Sequence, residues 1–342
     1  MNSIKKIFVT VVLTIMVLMT VTATMFYYVK KNPDSSTAYL IRKIQIITIN
    51  YLHLAMWLEY ERWTSHRIIV DMSDLEKIKI KEVKPLNLIK NDLLKISKNI
   101  VVNTFDPIFY KNGFAYERCY FDEKQNNLCD NVFVPNNSKT FNRLNPDCKT
   151  SYPISFTLGQ KTYWMFEEYF CGKGLYLYNL KEKRFEVAGK ITDMNVFDAT
   201  PLVVDEKVYI FATNPEKGLM MWKMQLIDDK FIAELDNRSP LSNNKNSNRF
   251  GGNIFKIDNN YYGVLMNNEL AFGKSLNLHR LDNLDGTGKI LTKINENLLP
   301  DLFVDKYHTF SLGNCDKNMI CEALIDIATK KRQPFHKTKY HH

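Results

Sequence analysis

Asp106, Asp198 and Arg249 open similar stretches of this chain although they lie 92 and 51 residues apart. Ser151 or Tyr152, and His308, stand at the matching places of two further stretches. Carboxylates beside a guanidinium are held ionised and accept hydrogen bonds from hydroxyl groups, which suits a site for a polyhydroxylated ligand such as a sugar. The same groups can also form a salt-bridged plug that binds nothing. Glu117, Glu167, Glu168 and Asn214 end the second half of each stretch, where they either join such a site or edge it in solvent. Tyr152, Tyr163 and Trp164 carry rings able to stack on a sugar face, yet alternating aromatics in strands usually form core.

The elements that must position these residues are hairpins. "DPIFYKNGFAYERCYF" starts at Asp106, "SYPISFTLGQKTYWMFEE" at Ser151, "DATPLVVDEKVYIFATN" at Asp198, "RFGGNIFKIDNNYYGVLMNN" at Arg249 and "YHTFSLGNCDKNMICEALID" at Tyr307. Each reads as strand, turn with Asn, Gly or Asp, and strand. The starts are 45, 47, 51 and 58 residues apart. A third strand follows three of them ("GLYLYNL", "GLMMWKM", "SLNLHRL"), and then a fourth such as "RFEVAGKI" or "KFIAELD". Four short antiparallel strands recurring at this period predict one propeller blade per repeat, hence an all-β five-bladed β-propeller. A β-sandwich is the alternative, but it does not call for five copies of one hairpin. In a propeller the first residues of each inner strand sit near the axis, so Asp106, Ser151 or Tyr152, Asp198, Arg249 and His308 are expected on the channel rim, with Asp106, Asp198 and Arg249 together at one mouth.

Those five motifs, in order, resemble the propeller region of glucosamine inositolphosphorylceramide transferases and their bacterial relatives, over about residues 100–328. Plant-type members carry a nucleotide-sugar-dependent transferase domain after the propeller. No counterpart of it is expected after the fifth blade here, so transferase activity does not follow from the resemblance. The propeller is also similar to that of furanosidase-type glycoside hydrolases, which place an Asp on the first blade, an Asp on the third and a Glu on the fourth. Asp106 and Asp198 match the first two. The fourth blade reads "NRFGGNIF" and offers Arg249 but no Glu. The resemblance makes Glu167 the nearest candidate acid, with Asp106 as base if the site is catalytic, because hydrolysis needs two carboxyl groups flanking the bond.

Net charge is +9, but residues 1–43 and 329–342 carry +5 each and leave the body at −1. No nucleic-acid partner is therefore expected of the folded part. Residues 7–29, "IFVTVVLTIMVLMTVTATMFYYV", contain no charged side chain and are long enough at about 1.5 Å per residue to span about 30 Å of hydrocarbon. A cleaved signal peptide is the alternative reading. All six cysteines and both N-x-Ser/Thr sequons, Asn136 and Asn237, follow this stretch, which suits an oxidising secretory compartment. Six buried thiols in a cytosolic domain are the alternative. Hairpin geometry pairs Cys119 with Cys129 and Cys315 with Cys321, leaving Cys148 with Cys171.

The resulting expectation is a single-pass type II protein of the Golgi or another secretory membrane. It has a cytoplasmic tail (1–6), transmembrane signal anchor (7–29), short helical stem (30–65), luminal propeller (66–328) and basic tail (329–342). Its ligand is expected to be a glycan or glycolipid, bound at the axis by Asp106, Asp198, Glu167, Tyr152, Arg249, His308 and Glu168, with a separate glycosyltransferase as a possible partner. A glycoside hydrolase-like enzyme and a purely structural interaction propeller are the alternatives. No metal motif, phosphate loop or nucleophile elbow occurs, and no cofactor is expected.

Overall fold

The computed structural model describes residues 57–86, 103–110, 113–121, 127–136, 142–144, 150–168, 174–181, 184–227, 230–245, 247–269, 271–282, 288–295, 298–299 and 304–334, with Thr20, Val21, Thr24, Met25 and Tyr27. The expected tail 1–6, the stem up to residue 56 and most of the expected anchor lie outside these. Among the described residues no helix is long and apolar enough to cross a membrane. Residues 60–331 form one compact unit.

Two strands come first, β1 (Trp57–Asp71) and β2 (Lys79–Pro85). Blade one is β3 (Asn103–Tyr110), β4 (Gly113–Phe121), β5 (Asn127–Pro135) and β6 (Asn142–Arg143). Blade two is β7 (Thr150–Leu158), β8 (Lys161–Glu168), β9 (Leu175–Lys181) and β10 (Arg184–Thr192). Blade three is β11 (Phe197–Val204), β12 (Lys207–Asn214), β13 (Gly218–Ile227) and β14 (Lys230–Leu235). Blade four is β15 (Phe255–Ile257), β16 (Asn260–Asn267), β17 (Ser275–Arg280) and β18 (Ile290–Ile294). Blade five joins both ends of the propeller, in the order β19 (Val304–Cys315), β20 (Ile320–Pro334), β1, β2. The repeat thus yields the expected five-bladed, all-β propeller.

Three expectations need correction. Residues 57–65 are not helical stem: they open β1, whose length lets it pair with both β2 and β20 and so close the ring. Closure by early strands removes the free edge that blade five would otherwise expose. The basic tail does not begin at Thr329, because β20 runs on to Pro334. Arg249 does not start an inner strand: β15 begins only at Phe255, and residues 249–251 bond to β16 through Gly251 N–H to Val264 O (2.8 Å) and Met266 N–H to Arg249 O (2.7 Å).

Alternation along the strands builds the core between blades. Ile154, Met165 and Leu177 of blade two meet Ile210, Ala212, Met220 and Trp222 of blade three in one buried cluster. Val264, Met266, Leu276 and Leu278 of blade four meet Phe310, Ala323, Ile325 and Ile327 of blade five in another. Each fully buried large side chain contributes about 1.5–3 kcal/mol of transfer free energy. Cys119–Cys129 and Cys315–Cys321 are disulfides between directly opposed residues, with Cα–Cα distances of 4.1 and 3.9 Å. Cys148 and Cys171 lie outside the described residues. Asn136 and Asn237 are exposed.

Candidate functional site

The inner strands of blades one, two, three and five carry the same irregularity. Their pairing slips between Phe105 and Ile108, between Ser151 and Ile154, between Phe197 and Thr200, and between Tyr307 and Phe310. A bulge puts an extra residue in one strand and re-aims a side chain. Inside three of these slips a non-glycine residue takes positive φ: Asp106 (50°), Tyr152 (48°) and Asp198 (51°). Such a backbone costs on the order of 1–3 kcal/mol and persists only where the surroundings enforce it. The side chains it redirects converge, as their electrostatics show: Tyr152 feels both Asp198 and Asp106, and Arg249 feels Asp198, Glu167 and Asp106.

On the first side of the cluster His308 Nδ1 donates to Asp106 Oδ1 at 2.9 Å and to Asp326 Oδ2 at 3.3 Å. Thr309 Oγ1 donates to the same Asp106 oxygen at 2.9 Å. Burial works against the imidazolium, but Asp106 and then Asp326 outweigh it, so the His308 pKa is raised well above its ordinary value. Burial raises the Asp326 carboxyl above the usual carboxylate range, with His308 opposing. On the second side Arg249 Nε pairs with Asp198 Oδ2. Burial again opposes the charge, and Asp198, followed by Glu167 and Asp106, raises the Arg249 pKa further.

Tyr152 does not present a stacking face. It is fully buried, and its hydroxyl lies 3.2 Å from Thr200 Oγ1 and accepts the Gly252 N–H at 3.0 Å. A side chain from blade two therefore reaches blades three and four and floors the site. Burial and then the nearby Asp198 raise its pKa well above the ordinary phenol value.

At the start of blade four, two adjacent glycines stand where no side chain fits. A Cβ on Gly251 would stand 2.4 Å from His308 O, and one on Gly252 would stand 2.0 Å from Phe310 O, with φ at 123°. Only glycines permit this approach of blade four to blade five. Glu167 is buried at the end of β8, opposite Ser151. The backbone of Glu168 pairs with Thr150. Glu117 is buried, while Asn214 accepts the Glu216 and Lys217 amides and so caps a turn.

Sequence reading missed Asp326, Thr309, Thr200, Trp63 and Phe272. Asp326 had one signal, as the single acid inside the apolar run "ALIDIA". Phe272 sits in the turn between β16 and β17, held beside blade five by the Tyr307 N–H to Gly273 O bond (2.7 Å). Its ring is 5.1 Å from the Arg249 guanidinium and 5.4 Å from the His308 ring, yet it stays 39% exposed. Trp63 of β1 stands 5.9 Å from His308 and 6.3 Å from Phe272. Phe272 is the exposed member of this group, the Arg249 side chain is partly exposed, and Trp63 and His308 are buried beside them.

Asp106, His308 and Asp326 place their ligand atoms within 4.8 Å of one another. With His308 Nδ1 within hydrogen-bond distance of both carboxylates, the triad forms a compact hydrogen-bonded cluster.

The fold and site define an all-β five-bladed propeller with a polar axial cluster, and comparison with solved structures finds likenesses to it. It is similar to the α-L-arabinofuranosidase PaAbf62A from Podospora anserina, solved in complex with cellotriose (10% identity, TM-score 0.44, covering 70% of this chain and 93% of that one). It is also similar to the Bacteroides ovatus GH43B of a xyloglucan locus (12%, TM-score 0.43, 67% and 54%) and to the GH43_1 enzyme from Xanthomonas citri complexed with xylose (10%, TM-score 0.40, 71% and 92%). No family model and no curated protein matches the chain.

Proposed function

We propose that the propeller is a glycoside hydrolase-like carbohydrate protein that grips a neutral sugar at the axial mouth. One observation carries this reading: Phe272 leaves its ring exposed while lying on the Arg249 guanidinium and the protonated His308. An exposed apolar ring bordered by fixed donors matches a ligand with an apolar face and hydroxyl edges. The buried carboxylates hold the two cations in place. Asp198 Oδ1 lies buried beneath them, with no hydrogen-bond donor among the described residues. Titration calorimetry with xylotriose, cellotriose and a wider panel of neutral oligosaccharides tests the proposal. Binding is expected to weaken about tenfold or more in Phe272→Ala, the loss of one well-placed contact. A panel in which nothing binds the wild type overturns it.

The second reading is hydrolysis, with Asp106 as base and Glu167 as acid. It is favoured by the burial of Glu167 within the electrostatic reach of Arg249. It is opposed by the pairing of Asp106 with His308 and by the glycines of blade four. New reducing ends that disappear in Glu167→Gln would favour it over binding alone.

Membrane anchoring through residues 7–29 and a luminal body remain part of the proposal, supported by the two disulfides and the exposed sequons. On that topology the ligand is a glycan or a glycolipid headgroup and a separate glycosyltransferase is the partner. An amidase-sensitive mass increase after expression in a glycosylating cell is expected; an unmodified chain with all thiols alkylatable would overturn it.

A further inference from the structure

A bulge leaves backbone N–H groups outside the ladder, and a buried one needs another acceptor. Two such groups, one in blade one and one in blade five, find the same acceptor. The Asp106 N–H donates to Asp326 Oδ2 at 3.0 Å, and the Thr309 N–H donates to Asp326 Oδ1. Asp326 itself lies on β20, is fully buried, and is 220 residues from Asp106. Its Oδ2 also receives the His308 Nδ1 proton. One carboxylate thus ties down the bulge that turns Asp106 to the axis, the bulge that presents His308, and the His308 ring itself.

We propose that Asp326 is a positioning residue of the axial site, acting through Asp106 and His308 rather than by touching the ligand. Its two oxygens satisfy both displaced amides, so the positive φ of Asp106 is enforced from the neighbouring blade. Its charge, with that of Asp106, keeps the His308 cation oriented under Phe272. A hydrophobic residue of the same size would leave two buried amides and a buried imidazolium short of partners. The groups facing His308 are Asp106 from β3, Asp326 from β20, Trp63 from β1 and Phe272 from the β16–β17 turn, and Arg249 also contacts the Phe272 ring.

The sugar-binding consequence rests on the proposed carbohydrate reading, whereas the positioning itself does not, and the experiment separates the two. His308 is followed by NMR titration in the wild type and in Asp326→Asn, and xylotriose affinity is measured across the same pH range. In Asp326→Asn the His308 midpoint is expected to fall by at least about one pH unit, the effect of losing one adjacent carboxylate. Xylotriose binding is expected to weaken about tenfold, with its pH dependence moved to follow the His308 midpoint. An unchanged midpoint overturns the proposal. Should the variant not fold, amide exchange in the wild type decides: the Asp106 and Thr309 amides are expected to be protected like those of the β3–β4 ladder. Exchange as fast as that of exposed turns overturns it. A wild type that ignores xylotriose counts against the carbohydrate reading, while the His308 midpoints still judge Asp326.

Discussion

The hydroxyl of Tyr152 accepts a hydrogen bond from the backbone N–H of Gly252, 3.0 Å away and 100 residues later in the chain. The bond crosses the propeller from blade two to blade four. It joins a residue in a strained conformation to one whose position tolerates no side chain. The floor of the axial site is therefore a covalent-free strut between opposite blades.

Tyr152→Phe removes the strut with almost no change in shape. The Gly252 N–H is left buried without its acceptor, so a loss of about 1–3 kcal/mol is expected. Urea denaturation of the two proteins measures it, and a variant as stable as the wild type would show that the strut carries no net stabilisation.

Gly252→Ala tests the close approach of blades four and five. Positive φ and contact with Phe310 O act together, so a loss of more than about 3 kcal/mol is expected, with failure to fold at the upper end. Thermal unfolding or the soluble yield reports it. A fully stable variant would mean that the two blades separate at little cost.

Asp198 and Arg249 form a pair whose side chains are 1% and 22% exposed. Replacing either alone leaves a charge with reduced access to water, and a loss of about 3–5 kcal/mol is expected from each of Asp198→Asn and Arg249→Met. The double variant should be less destabilised than the sum of the singles, and a double-mutant cycle by urea unfolding gives the coupling directly. Additive losses would mean that the contact is not formed in solution.

The His308 pKa is raised in the folded state, so its stabilisation is fully present below the unfolded value of about 6.5 and is lost as pH rises from there through the folded value. Asp326 is raised as well, so its own contribution also falls with rising pH, starting from about 3.9, the unfolded carboxyl value. Stability should therefore decline above about pH 6.5, by up to about 1.4 kcal/mol per pH unit for the one proton on His308. Urea midpoints across that range in the wild type and His308→Gln check this, and an equally steep decline in the variant would assign the effect to another group.

Much of this architecture is legible in the sequence because a blade is a local object. Hairpins such as "PLVVDEKVYIFAT" carry alternation and a turn within a short stretch; their period implies blades, and their five copies a five-membered ring. The Cys119–Cys129 and Cys315–Cys321 bridges were readable for the same reason, since each closes one hairpin. Asp106 and Asp198 could be placed at the axis because they start hairpins. What the tertiary structure alone decided are the relations across the ring. Residues 57–65 read as helical stem until β20 supplies a partner for the strand they open. Tyr152 looks like a stacking ring until a bulge turns it inward to Gly252. Asp326 reads as one acid in an apolar strand until the bulges of blades one and five bring it two amides and an imidazole. Local patterning follows from side-chain periodicity along one strand, whereas convergence at an axis depends on ring closure and on backbone slips whose partners lie as far as 220 residues away.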